Sequence, residues 1–185
     1  MDYIFPPDQS SASLIAELEK NGGCGQIVGP HGTGKTTLLY EITRELEKRG
    51  QGFRFVRLSA GQKSLAEAET VQFFHGESRN EAFQLLIVDG FEQLGFWERR
   101  ELIREGKREK NRGLLITSHE KTSLPVLAST ENKLDLLRQI VEKLGVEIED
   151  QLLNEVYSQN SNIREMLFAL YDRYERGEIK RASST

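Results

Sequence analysis

The chain is 185 residues long, 37% hydrophobic and 29% charged, with a formal net charge of -4. That balance excludes a disordered or fibrous chain, and the length suffices for one domain, or one domain with a small appendage, around its own core. The acidic excess excludes a general attraction to nucleic acid or anionic membrane, no run of about 18 apolar residues offers a membrane span, and the single cysteine, Cys24, excludes an internal disulfide. The opening "MDYIFPPDQSS" has neither the basic end nor the apolar run of a secretory signal, so a cytoplasmic location is expected.

After Pro6 and Pro7, "SASLIAELEKNGG" predicts a helix with Leu14, Ile15 and Leu18 on one face, stopped by Gly22 and Gly23. "GQIVG" at 25–29 reads as a short buried strand, and "KTTLLYEITRELEKRG" at 35–50 as a helix with Leu38, Leu39, Ile42 and Leu46 on one stripe and Gly50 at its end. "FRFVRLS" at 53–59 predicts a second strand and "LAEAETVQFF" at 65–74 a second connecting helix. "FQLLIVD" at 83–89 is a near-continuous apolar run of the kind buried on both faces in a parallel sheet. A charged helix over 96–112 follows, then a buried strand "GLLITSH" at 113–119 and a last strand "LPVLAS" at 124–129. Strands alternating with helices point to an α/β fold with a parallel sheet sandwiched by helices.

From about Asn132 the strand pattern gives way to helical spacing: Leu134, Leu137, Val141 and Leu144, then Leu152, Leu153, Val156 and Tyr157, then Ile163, Met166, Leu167, Leu170 and Tyr174. Three C-terminal helices are expected, the last opened by a capping box between Asn162 and Glu165 that puts Arg164 in its first turn. The division is an α/β domain over 1–130, a small helical unit over 131–178 and a polar, frayed tail over 179–185.

Between the first strand and its helix stands "GPHGTGKTT", which fits G-x-x-x-x-G-K-[ST] with Gly29, Gly34, Lys35 and Thr36 in the fixed places. Glycines let successive backbone N–H groups approach phosphate oxygens, and the following helix contributes its positive end. The loop Gly29, Pro30, His31, Gly32, Thr33, Gly34, Lys35, Thr36 and Thr37 is therefore the candidate cradle for ATP or ADP, with His31 at a variable, solvent-facing position. Lys35 would bridge the β and γ oxygens, and the Thr36 hydroxyl would hold Mg²⁺. The second metal-side oxygen is expected from Asp89, ending the apolar strand "LLIVDG" next to the strand that carries the loop.

These two motifs, the strand "LLITSH" ending in polar residues, and the helical C-terminal segment together resemble an AAA+ ATPase, or a close relative among the P-loop ATPases with an additional strand and a catalytic glutamate. The resemblance runs from about Tyr3 to about Tyr174 and implies a P-loop NTPase sheet with a C-terminal helical lid. It implies that Thr117 or Ser118 helps place the attacking water, with strand-end capping as the alternative for both. It also implies that Arg164, in "SNIRE", touches the γ-phosphate from the lid, and that "YIF" at 3–5 faces adenine, although core packing accounts for Ile4 and Phe5 equally well.

One departure stands out. The family's glutamate directly follows the Walker B aspartate, whereas this chain has Gly90 there and its next carboxylate is Glu92. Glu92 serves as water-orienting residue only if "DGFEQL" turns sharply at Gly90; otherwise it is a loop acid. Members of the family also complete their site with an arginine from a neighbouring subunit, which implies a homo-oligomer and leaves Arg99, Arg100 and Arg104 as candidates, interleaved with Glu98, Glu101 and Glu105 as on any solvated helix. The basic run "KREKNR" suits either the phosphates of a nucleic acid or an acidic protein, and no interleaved aromatic residue supports base stacking there. The function expected is an Mg²⁺-dependent ATPase acting as a conformational switch. The alternatives are a module that only binds nucleotide, a phosphotransferase, and a DNA-directed loader.

Overall fold

The computed structural model describes residues 2–76, 84–108 and 112–181. Within them the backbone divides into two compact units, one of residues 1–29 and 35–130, the other of Pro30–Gly34 with Glu131–Thr185.

The first unit is built on six strands: β1 (Cys24–Val28), β2 (Phe53–Arg57), β3 (Glu69–Phe74), β4 (Gln84–Asp89), β5 (Arg112–Ser118) and β6 (Val126–Ser129). They lie in the order β3-β2-β4-β5-β1-β6, and all the pairings are parallel except β2 with β3. The helices are α1 (Ser11–Lys20), α2 (Lys35–Lys48) and α3 (Phe96–Arg108). The stripes read from the sequence of α1 and α2 are the buried ones: Leu14, Ile15, Leu18, Leu38, Leu39, Ile42 and Leu46 join Ile27, Phe55, Ile87 and Leu115 in one core cluster. Val56, Val88, Leu114 and Ile116 point to a second cluster, closed by Leu102 of α3 together with Phe91 and Leu94. Adjacent residues of β2, β4 and β5 thus feed opposite clusters, as the alternation of a strand buried on both faces requires. The sheet is sandwiched by helices as expected.

Two expectations for this unit are corrected. The segment 65–74 is not a helix: a single 3-10 turn, Leu65–Glu67, capped by Ser64, leads into the antiparallel strand β3. Thr70, Val71, Phe73 and Phe74 suit a pleated surface, and β2 would otherwise present an unpaired ladder of backbone groups, so edge pairing overrides the local helical pattern. The sheet is therefore mixed at one edge. Second, the strand ending in Asp89 does not lie next to the strand that carries the phosphate loop, because β5 is inserted between β4 and β1. Two more expected boundaries run into undescribed residues: Phe83 of the apolar run, and Glu109, Lys110 and Asn111 of the basic segment, lie outside the described residues.

The second unit holds α4 (Leu134–Lys143), α5 (Asp150–Gln159) and α6 (Ile163–Glu175). Its helices bury Leu137, Ile140, Val141, Leu153, Val156, Ile163, Met166 and Leu170, and Leu144, placed on the stripe by its spacing, is exposed past the end of α4. Of the segment expected as a polar tail, Ile179 is buried and Lys180–Arg181 form β8, antiparallel to β7 (Val146–Glu147); residues 182–185 lie outside the described residues. Among the described residues no helix is long and apolar enough to cross a membrane.

Candidate functional site

The ends of β1, β2, β4 and β5 all point one way, and the polar residues of the first unit gather where those parallel strands stop, the edge at which open α/β sheets bind ligands. At its centre is Asp89, the last residue of β4 and only 8% exposed. Its Oδ1 accepts from the Thr117 hydroxyl at 2.7 Å, and its Oδ2 accepts from the Thr36 hydroxyl at 2.7 Å. Thr117 Oγ1 also accepts the Gly90 N–H at 2.9 Å, so one hydroxyl ties the carboxylate and the turn behind it to β5. The inserted strand is what makes this possible, for it brings a buried side chain from between β4 and β1 against the acid. Thr117→Val, nearly isosteric, would leave Asp89 Oδ1 and the Gly90 N–H without this partner. A loss of about 1–3 kcal/mol in urea unfolding is the expected outcome.

Lys35 opens α2 and is buried; its Nζ donates to the Gly29 carbonyl at 2.5 Å, holding together the two ends of the loop. Burial pushes the ammonium below its ordinary pKa, opposed first by the carboxylate of Glu92 and then by that of Asp89. Glu92 is thereby near enough to Lys35 to be its leading negative neighbour. The turn at Gly90 that the sequence reading required is present: Gly90 has φ 82° and caps the 3-10 turn Phe91–Gln93. A Cβ at position 90 would lie 2.6 Å from the Leu58 carbonyl oxygen, so both backbone sign and space demand glycine. Glu92 Oε1 stands 3.1 Å from His119 Nε2, and Glu92 Oε2 is buried with no hydrogen-bond partner among the described residues.

Of the two alternatives at the end of β5, Thr117 joins Asp89 and Ser118 does not. Ser118 is buried, its hydroxyl donates to the Glu120 carbonyl at 2.7 Å, and it serves the loop backbone. The Gly29 N–H in turn donates to the Ser118 carbonyl at 3.1 Å. Thr37 lies in the first turn of α2, half-buried.

In the second unit, Thr33 Oγ1 donates to the Pro30 carbonyl at 2.9 Å, closing the loop tip, and His31 is exposed as expected. Gly32, at φ 71°, lies against the side chain of Asn162: a Cβ there would be 2.7 Å from Asn162 Oδ1. Asn162 caps α6 by accepting the Glu165 N–H at 3.0 Å, while Glu165 turns its carboxylate to the N–H and hydroxyl of Ser161. The capping box is therefore completed one residue earlier than its spacing implies. Arg164, exposed in the first turn of α6, sits two residues from a cap that touches the loop tip.

On α3, Arg104 pairs with Glu101 of its own helix, Lys107 donates to Ser123, and Arg100 is exposed. Tyr3 and Phe5 pack edge to face at 5.0 Å against the first core cluster.

Two residues of the strand-end cluster were not singled out by the sequence reading. Arg57, ending β2, places Nε 3.4 Å from Asp89 Oδ2 and an Nη 3.2 Å from the Tyr40 hydroxyl. His119 follows β5 directly. The signal available for both was position: each is a polar residue at or just after the C-terminal end of a strand in a parallel sheet.

A phosphate loop between β1 and α2, with the aspartate-bearing strand one strand removed from it, is the arrangement of the P-loop ATPases that carry an additional strand. The chain belongs to the ATPase family associated with various cellular activities, AAA, whose family model matches residues 26–152. Among solved structures it is similar to the replication initiator DnaA bound to AMPPCP and single-stranded DNA, with a TM-score of 0.59 and 14% identity over 95% of this chain and 70% of that one. It is similar also to AMPPCP-bound DnaA from Aquifex aeolicus (TM-score 0.62, 16% identity, 95% of this chain and 64% of that one). Cdc6p from Pyrobaculum aerophilum gives a TM-score of 0.62 at 13% identity, covering 94% of this chain and 65% of that one. The chain thus spans about two thirds of each, and at such identities the likeness is one of fold. No curated protein matches the chain.

Proposed function

We propose that the chain binds ATP as its Mg²⁺ complex at the loop 29–37, hydrolyses it slowly, and uses residues 131–178 as a lid that responds to the γ-phosphate. The observation that carries this reading is the coupling of Thr36 to Asp89 at 2.7 Å across the base of the loop, with Lys35 beside them. A hydroxyl and a buried carboxylate at that separation form a hard-oxygen donor set that suits Mg²⁺, which keeps most of its waters and takes few protein ligands. Thr36 and Asp89 would hold the ion, whose chemistry is to neutralise charge developing on the phosphate oxygens. Lys35 would then exchange the Gly29 carbonyl for phosphate oxygens, and Thr117 would keep Asp89 from rotating. The contact of Asn162 with Gly32 supports Arg164 as the residue that reports the γ-phosphate to the second unit.

Glu92 is the candidate to orient water, and the left-handed turn at Gly90 supports that role. The same Gly90 motivates a second reading, a module that binds nucleotide without breaking it. The first experiment is calorimetric titration with ATP and ADP, with and without Mg²⁺, alongside measured phosphate release. Micromolar binding strengthened by Mg²⁺, with slow release of phosphate, is the expected result. Binding without any release selects the second reading, and no binding of either nucleotide removes both.

A second copy of the chain or another protein is favoured over nucleic acid, because Arg104 and Lys107 are engaged on their own surface. A cytoplasmic setting agrees with the free, buried Cys24.

A further inference from the structure

Glu92 stands two residues beyond the place where a water-orienting carboxylate would leave β4, so a bare loop glutamate would have several rotamers and no fixed aim. Three observations bear on how this one is held. Its Oε1 stands at ion-pair distance, 3.1 Å, from Nε2 of His119, the first residue after β5. Its Oε2 is buried and without a hydrogen-bond partner among the described residues. And its charge is the leading one acting on the Lys35 ammonium, at the foot of the phosphate loop. A buried carboxylate oxygen with no donor is unfavourable unless something arrives to use it.

We infer that His119 is a positioning residue for Glu92: its ring anchors Oε1, and Oε2 is thereby left aimed and free to receive a proton from the water that attacks ATP. This rests on the hydrolytic reading given above. In the step, a water O–H bond breaks and its proton goes to Glu92 Oε2 while the water oxygen bonds to the γ-phosphorus. The bond from that phosphorus to the β–γ bridging oxygen breaks, and its electron pair leaves with ADP. The proton then passes to solvent, leaving inorganic phosphate and the carboxylate as it began. His119 keeps its own protons throughout. The placement accounts for how a carboxylate displaced along the chain regains a fixed direction: an ion-pair partner on the neighbouring strand end replaces the missing backbone register.

The test combines a spectroscopic and a kinetic arm on the full chain. With ¹⁵N-labelled histidine, the ring nitrogens of His119 are compared between the parent and Glu92→Gln at one pH. A displaced His119 signal, with that of His75 little changed, is expected; an unmoved His119 signal overturns the pairing. In the kinetic arm, His119→Ala should lower the rate of phosphate release at saturating Mg²⁺-ATP at least about tenfold, with nucleotide affinity within twofold of the parent. Parent-like turnover in His119→Ala overturns the positioning role alone. A parent chain that binds ATP and releases no phosphate overturns the hydrolytic reading and takes this role with it.

Discussion

Lys35→Ala should abolish ATP binding, weakening it at least about 100-fold, because two effects act in the same direction. A hydrogen bond to a charged partner contributes about 1.5–3 kcal/mol each, and an ammonium carries three donors that phosphate oxygens can share. Its removal also leaves Asp89 and Glu92 facing an incoming anion with their shared cation gone. The nucleotide-free variant should unfold at a somewhat lower temperature than the parent, since buried Asp89 and half-buried Glu92 lose a cation, yet remain folded at the temperature of the binding assay. A fluorescent ATP analogue and thermal unfolding monitored in parallel read both quantities. Unchanged affinity would overturn the assignment of the loop as the nucleotide cradle.

Glu92→Gln should act on the other side of the cycle. The amide keeps the shape and removes the proton acceptor, so turnover should fall about 10²–10⁴-fold, the range general-base catalysis commonly supplies, while ATP binding persists. Binding should even tighten somewhat, because a negative charge near the Lys35 ammonium is removed from a site that takes an anion. Single-turnover phosphate release, compared with analogue binding, separates the two effects. A variant that still turns over at the parent rate would make Glu92 a loop acid and direct attention elsewhere around Asp89.

Much of this site could be read from the chain because its chemistry is local in sequence. Gly29 to Thr36 must be contiguous to wrap a phosphate, and Asp89 is marked by the apolar run before it. The stripes of α1 and α2 were equally legible, because a helix buried on one face repeats that face every three to four residues. What escaped was set by neighbours distant in sequence. Residues 69–74 took the form of a strand because β2 had an open edge, a demand that nothing within "LAEAETVQFF" expresses. Arg57 and His119 joined the cluster because β2 and β5 end beside β4, and strand order cannot be counted off a single sequence. The choice between Thr117 and Ser118 turned on one pleat: alternation sends adjacent side chains to opposite sides, and register gave Asp89 to Thr117.

The backbone at Gly90 also limits what position 90 can carry. Restoring a glutamate at position 90 would set a β-carbon 2.6 Å from the Leu58 carbonyl oxygen, on a residue held at φ 82°. Reversion to the family pattern is therefore not one substitution away; it needs the β2 end and the turn after β4 to be rebuilt together. Under the hydrolytic reading, a water-orienting side chain at this end of β4 therefore has to be carried by position 92 and not by position 90.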